Sequence, residues 1–540
     1  MTTWRALVFL AMTQFLMVLD QSVMNVSISQ LVADFDTTVS TIQAVITLYS
    51  LVMAALMITG GKVGDIMGRR RALVVGLVIY SSGSALTAVS WSVPSLALGW
   101  SILEGVGAAL VMPAMAALVA GNYEGKARVT AYGVLGGVAG AGIAVGPILG
   151  GWATTELTWR VIFAGEVVVA IATIVGSRWI TESPAPEPRP KLNVVGAVLC
   201  AAGMSVAVYG VLSSSTWGWL EPLNSPIEPF GFALTPFVIG AGVALLFAFR
   251  GWQRHREHRG EDPLVRFSLL RIAPFKAGLS SLLAQNLILM GVFFAIPLYL
   301  QIVLGLDALD TGVRMLPTSI VMLVVSFLGG ALLKVLSPRS IIRLGLGVLM
   351  VAAIVLLATI QPDLQGTTFA LAMGLLGGGM GLMASQLGNV VQSSVGPEAR
   401  SEAGGLQFTA QQLGSSLGVA LIGSVVLTGL VGAYLSNIAG DPAVADSTVA
   451  AVEVQVSSGS SFVPADQVAA AVAEAGFTGS EATALVDNYA DAQLTALKTG
   501  MLAVVVIAGL AFGVTGDLPA GRRDELDARA SDTGTDIAAA

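Results

Sequence analysis

The sequence predicts an all-α polytopic membrane protein built from fourteen transmembrane helices. Three observations carry that reading. Apolar residues make up 55% of the 540 positions and charged ones only 11%, whereas soluble domains carry roughly 25% charge. The apolar residues fall into fourteen runs near the ~20 residues that cross a bilayer as helix. Lysine and arginine sit between alternate runs, as they do in loops on the cytoplasmic side. Cys200, the only cysteine, lies inside an apolar run, so neither a disulfide framework nor a cysteine-rich metal site is expected. His255 and His258 fall in QRHREHRGED, read as a solvated charged loop and not as a metal site.

Taken in order, the first run, 6–29, contains Asp20 and is too long for a signal peptide, so it is expected to remain as a helix. Further spans fall at 40–60, 72–90, 96–119, 131–151 and 160–179, then at 194–213 and 230–249. The last set lies at 277–299, 313–333, 343–360, 367–388, 405–432 and 497–515. Placing the N-terminus in the cytoplasm puts all but Arg160, Arg314 and Lys498 of the 27 lysines and arginines on that side. Such asymmetry predicts a multi-pass protein of the bacterial inner membrane with both termini cytoplasmic.

Loops divide the chain. Pro184, Pro186, Pro188 and Pro190 form a stiff linker after the sixth span, and a basic loop from Arg250 to Lys276 precedes the ninth. The expected parts are a six-helix bundle over 1–180, a linker with two extra helices over 181–276, and a second six-helix bundle over 277–516. Residues 517–540 read as a disordered cytoplasmic tail. Gly61–x3–Asp65–x2–Gly68–Arg69 after span two is faintly echoed by Gly330–x3–Lys334–x3–Pro338–Arg339 after span ten, where a duplicated half would place it. The outer segment 433–496, with PADQVAAAVAEAG ending at Gly476, reads as a solvated helical hairpin.

Three groups of residues carry chemistry. GKVGDIMGRRR is expected to join spans two and three, its glycines permitting a tight turn and Asp65 pairing with Arg69 or capping a helix. In span five, Gly133, Gly137, Gly140, Gly142, Gly146 and Gly150 remove side-chain bulk. Neighbouring helices then approach closely, and Pro147 can bend the helix, which suits a hinge or seal between halves. Asp20, Glu104 and Glu166 lie inside spans one, four and six. A carboxylate in lipid costs roughly 2.5–3.5 kcal/mol even on the milder scales, so such residues face a cavity or pair. Similar depth in one half predicts one water-accessible pocket suited to binding and releasing protons, with protons or cationic substrates favoured over anions. Structural packing of these acids is the competing explanation.

On these residues the chain resembles the major facilitator superfamily. GKVGDIMGRRR is similar to that superfamily's motif between its second and third helices. GIAVGPILGG, Gly142 to Gly151, resembles the Gly-x-x-x-Gly-Pro-x-x-Gly-Gly motif of its antiporter branches. LDQSVMNV, Leu19 to Val26, is similar to the first-helix motif of the fourteen-span drug–proton antiporters (EmrB/QacA type). TWRVIF at 158–163, YLQIVLG at 299–305 and QQLGSSLGVALIG at 411–423 match the same branch. The resemblance implies a major facilitator fold of two six-helix bundles plus a two-helix insertion. It implies a cytoplasmic gating motif of Gly61, Asp65, Gly68, Arg69 and Arg70, and an antiporter hinge of Gly142, Gly146, Pro147, Gly150 and Gly151. Asp20, Asn25, Glu104 and Glu166 then belong to proton coupling or the substrate cavity. The sequence departs at Ser101-Ile-Leu-Glu104-Gly105, where the family reads Arg-x-x-Gln-Gly, at Glu166 where the branch has asparagine, and at Ser29 where it has proline.

The expected function is proton-coupled export of hydrophobic or amphipathic, cationic small molecules: multidrug efflux by alternating access. The proton gradient supplies the energy, and no cofactor, metal or nucleic acid is expected. A monomer in the lipid bilayer is expected; for 433–496, a lid or a docking surface for a periplasmic partner is the alternative to the solvated hairpin. An exporter of lipid or of a self-made metabolite is the alternative on the same fold. A membrane-embedded enzyme would need a nucleophile–base pair or a metal cluster, and a primary pump a Gly-x4-Gly-Lys-Ser/Thr loop; neither pattern is present.

Overall fold

A computed structural model of the chain describes residues 4–37, 39–123, 125–182, 191–222, 225–396, 399–457 and 462–521. Among the described residues, fourteen helices are long and apolar enough to cross a membrane, and no strand occurs. The first half comprises α1 (Trp4–Val26), α2 (Val39–Met67), α3 (Arg69–Ala88), α4 (Val93–Asn122), α5 (Gly125–Glu156) and α6 (Arg160–Gly176). An inserted pair follows, α7 (Val194–Trp217) and α8 (Thr235–His258). The second half comprises α9 (Ala273–Val303), α10 (Ala308–Leu332), α11 (Pro338–Thr359), α12 (Gly366–Ser393), α13 (Arg400–Gly440) and α14 (Gly479–Val514).

Local chemistry sets several helix starts. Asn193, Asp307 and Ser337 each accept a backbone N–H three residues on, satisfying a donor that a helix end otherwise leaves bare. Each half has its own apolar core. The inserted pair packs on α2 and α13 through α7. There Cys200, Met204 and Phe249 enclose Leu264 and Val265 of the following loop.

The halves meet where α5 packs on α10 and α12, and where α2 packs on α13. A Cβ at Gly137 would lie 2.8 Å from Leu323, and one at Gly405 3.2 Å from the Met57 carbonyl oxygen. Gln412 donates to the Met53 sulfur at 3.0 Å, and Arg400 to the Ala120 carbonyl at 3.2 Å. These contacts run from mid-helix toward the end of the bundle that carries both termini. At that end, within the second half, Arg343 donates to Thr515 at 2.8 Å.

The helices outrun the apolar windows. Gly61 to Met67, expected as a connecting loop, is the last turns of α2, and only Gly68 (φ +100°) makes the turn. His255 and His258 close α8 and do not lie in a loop. In 433–496, α13 continues to Gly440, two short helices follow (Asp446–Ser457 and Ala465–Glu474), and α14 starts at Gly479. A simple hairpin is thus replaced by two helix extensions with two short helices between them, because alanine-rich polar sequence propagates helix without being apolar. Asn488 donates to Asp441 at 2.7 Å and Thr448 to Glu481 at 2.7 Å, folding this segment back on α14. Pro184, Pro186, Pro188, Pro190 and the tail from 522 lie outside the described residues.

Candidate functional site

Asp20, Glu104 and Glu166 come together inside the first half. Asp20 and Glu104 have no solvent exposure and Glu166 has 2%. One carboxyl oxygen from each lies within 4.8 Å of the other two. Hydrogen bonds fix each group from one side. The Trp100 indole donates to Asp20 Oδ1 at 2.6 Å, and the Thr87 hydroxyl donates to Glu104 Oε1 at 3.2 Å. Tyr80 and Ser84 donate to Glu166 Oε2 at 3.1 and 3.2 Å. Asp20 Oδ2, Glu104 Oε2 and Glu166 Oε1 stay buried without a hydrogen-bond partner among the described residues.

Sequence and local geometry explain the gathering. Tyr80, Ser84 and Thr87 share one face of α3 by their three- and four-residue spacing. Gly83 and Gly99 let α3 and α4 nearly touch, since a Cβ on Gly83 would stand 2.6 Å from the Gly99 carbonyl oxygen. From Ala97 to Glu104, α4 widens into a π-helical stretch, a form that recurs at functional sites. Trp100, Ser101 and Glu104 all lie in it.

Electrostatics decide what the cluster can hold. None of the three acids is in an ion pair among the described residues. Two full charges 4.8 Å apart repel by about 3.5 kcal/mol at an effective dielectric of about 20, so ionising all three is strongly opposed. Shared protons remove that repulsion and let one carboxyl donate to the next. The same oxygens are the one group among the described residues spaced for a metal ion. Three single oxygens fall short of the six to eight ligands of calcium or the octahedron of magnesium. Indole and hydroxyl donors already occupy one oxygen of each acid.

The expected water-accessible pocket is therefore not what this conformation contains. Every hydrogen-bond partner named above comes from α3 or α4 of the same half, so the acids face the bundle's interior. Sequence reasoning missed Trp100, Tyr80, Ser84 and Thr87; the signal available was Trp100 standing four residues before Glu104. Asn25 lies in α1, but its side chain is outside the described residues.

The glycine motif packs elsewhere than expected. Gly142 and Gly150 abut Val18 and Val23 of α1, and a Cβ on Gly146 would overlap Ser22. Gly142, Gly146 and Gly150 thus seat α1 within the first half, whereas Gly137 and Gly140 make the seal to the second half against Leu323 and Met322. Gly151 is buried and the Pro147 side chain lies outside the described residues. At the other motif, Arg69 pairs with Asp65 at 3.3 Å, both buried. Glu182 accepts from the Arg70 backbone N–H at 3.1 and 3.2 Å, offsetting three arginines placed against the positive end of α3. Gly61 is buried in α2 beside this pair.

An apolar groove of about 550 Å³ lies near the start of α1, lined by Trp4, Val8, Met12, Phe15, Val138 and Val169. None of the three acids lines it.

The comparisons with known proteins agree with this architecture. The Major Facilitator Superfamily profile matches residues 10–419. The chain is 31% identical over 436 residues to the "Probable actinorhodin transporter" of Streptomyces coelicolor, covering 79% of this chain and 73% of that one. It is 32% identical over 456 residues to the "Puromycin resistance protein pur8" of Streptomyces alboniger, covering 83% and 86%. Identity to the "Multidrug efflux pump LfrA" of Mycolicibacterium smegmatis is 28% over 469 residues, covering 84% and 89%. The crystal structure of the human organic anion transporter MFSD10 (TETRAN) superposes with a TM-score of 0.51 at 16% identity, over 78% of this chain and 92% of that one, a likeness of fold alone. With the profile spanning most of its length and fourteen membrane-crossing helices, the chain is a multi-pass membrane protein that belongs to the Major Facilitator Superfamily.

Proposed function

We propose that this protein is a proton-coupled secondary transporter that exports hydrophobic or amphipathic small molecules by alternating access of its two halves. The observation that carries this is the sealed trio of Asp20, Glu104 and Glu166, close together and in no ion pair among the described residues. Such a cluster gains and loses protons more readily than it tolerates full charge. The relatives support the cargo class: their names speak of actinorhodin transport, puromycin resistance and multidrug efflux.

In this reading both termini lie in the cytoplasm and the halves close at that end, so the described conformation faces outward. Protons reach the cluster from the far side, and the change in charge repacks α1, α3, α4 and α6. Because the acids lie behind other side chains, the exchange with cargo is indirect: proton and cargo compete through helix packing and not through one shared surface. A cationic cargo is consequently not required by the site.

Reconstituted vesicles test this. With an imposed pH gradient, wild-type protein should move ethidium and puromycin against their gradients, and a sodium gradient alone should not replace protons. Asp20→Asn and Glu104→Gln should each lower gradient-driven movement at least tenfold while folded yield is kept. Full coupling in both variants would remove the carboxyls from the mechanism.

A further inference from the structure

We propose that Trp100 is a positioning residue that links the charge state of the carboxyl cluster to α2, which packs on α13 of the second half. This rests on the proton-coupling reading above and adds the path by which protonation reaches the interface. Trp100 is buried, and its two sides are engaged differently. On one side its indole N–H donates to Asp20 Oδ1 at 2.6 Å. On the other its ring stacks on Tyr49 of α2, with centroids 4.6 Å apart and planes 6° from parallel. The hydroxyl of the next residue, Ser101, donates to the Val45 carbonyl of α2 at 2.7 Å, so the π-helical stretch grips α2 by both a ring and a hydroxyl.

From there the contacts cross to the other half. Gln412 of α13 donates to Met53 of α2 at 3.0 Å. Gln21, next in sequence to Asp20, reaches the same sulfur at 3.5 Å. One turn further along, Gly405 abuts Met57. Successive residues of α1 thus serve different neighbours: Asp20 the cluster, Gln21 the interface and Ser22 the glycines of α5.

Chemistry gives the link its direction. An N–H donor bonds an ionised carboxylate about twice as strongly as a neutral carboxyl. Proton uptake at Asp20 therefore loosens its hold on Trp100 and frees the stack on Tyr49 to shift. The titratable groups around this point are Asp20 on α1, Tyr49 on α2, Tyr80 on α3, Glu104 on α4 and Glu166 on α6. On α5 the residues facing α1 there are Gly142, Gly146 and Gly150.

The test is Trp100→Phe, which keeps a ring against Tyr49 and removes the N–H, with Tyr49→Ala removing the stack from the other side. Ethidium efflux is measured in proteoliposomes across external pH. Each variant should lower the maximal rate about tenfold and flatten its pH dependence, with KM for ethidium within about twofold of wild type. A wild-type rate and pH profile in Trp100→Phe, or loss confined to KM, would reduce Trp100 to packing. Should Trp100→Phe fail to fold by size exclusion, Tyr49→Ala carries the test with the same two outcomes. Asp20→Asn, run in parallel, separates the failures: if it transports normally the proton reading itself falls, whereas if it is inactive while Trp100→Phe is normal only the link falls.

Discussion

The two six-helix halves have matching helix numbers but bury different chemistry. The first half encloses Asp20, Glu104 and Glu166 with hydroxyl and indole donors and, among the described residues, no ion pair to them. The second encloses amides: Gln285 donates to the Met380 carbonyl at 3.2 Å and Gln386 to the Gly329 carbonyl at 3.1 Å. Its one buried acid among the described residues, Glu402 at the termini end, is held by Arg266 at 3.0 Å. An amide keeps its bonds at any physiological pH, whereas a carboxyl trades them with each proton. On the proposed mechanism the two halves divide the labour: proton exchange acts on the first half, whose acids it rebonds, and leaves the buried amides of the second as they are.

Exchanging acid for amide is the strongest way to break that contrast. Glu104→Gln and Asp20→Asn should each cost at least tenfold in gradient-driven transport, read as initial efflux rate in vesicles. Gln285→Ala and Gln386→Ala should alter the rate only a few-fold and leave its pH dependence intact. A flattened pH profile in the glutamine variants would erase the distinction.

Packing offers a contrast of the next size. A Cβ at Gly377 would collide with the Thr318 carbonyl, and one at Gly60 with the Ala109 carbonyl. Overpacking costs typically ~1–3 kcal/mol, so Gly377→Val and Gly60→Val should each lower the melting temperature of the detergent-solubilised protein. Gly240→Val, whose Cβ meets no described residue within 4 Å, should leave it unchanged.

The Arg266–Glu402 pair sharpens the comparison at the closed end. Removing Arg266 leaves Glu402 buried without its partner, and truncating one side of a buried pair costs up to roughly 3–5 kcal/mol. The exposure of Arg266, 38%, lowers that figure through solvent screening. Arg266→Ala should open the termini end, measured as faster labelling of a cysteine placed at Ala116, beside Gly404. Unchanged labelling would mean that the pair does not hold this end shut.

The smallest effect belongs to the outer edge of the first half. Partial burial disfavours the Asp34 carboxylate, but hydrogen bonds from Gln30, Trp159 and Arg160 and the Arg160 charge outweigh it, holding the group below its usual range. A lowered carboxyl stabilises the fold above its unfolded value near about pH 4 and loses that contribution as pH falls further. Asp34→Asn should therefore lower stability by less than ~1 kcal/mol near neutrality, with the difference shrinking below about pH 4 in thermal melts. An equal deficit at both pH values would assign the effect to lost packing.

Much of this fold was legible because bilayer-length apolar runs are hard to hide. The helix ends were not: α2 carries Gly61 to Met67 and α14 begins at Gly479, since polar residues continue a helix without registering as a span. The acids stood out because charge is rare at membrane depth, and their spacing along three helices placed them at similar levels. That they turn inward, behind Tyr80 and Trp100, depends on the rotation of each helix about its axis. Rotation is set by contacts such as Gly83 against Gly99, which no linear reading supplies. The glycines of α5 were visible as a close-packing face, but which partner each half of that face meets follows from the arrangement of α1 and α10.

Counting protons is the most direct examination of the cluster. Purified protein in detergent, in weakly buffered solution with a pH indicator, is titrated with puromycin. Proton exchange at the cluster requires proton release on binding by the wild type and none by the combined variant Asp20→Asn, Glu104→Gln, Glu166→Gln, with binding itself retained. Equal release from both proteins would contradict it.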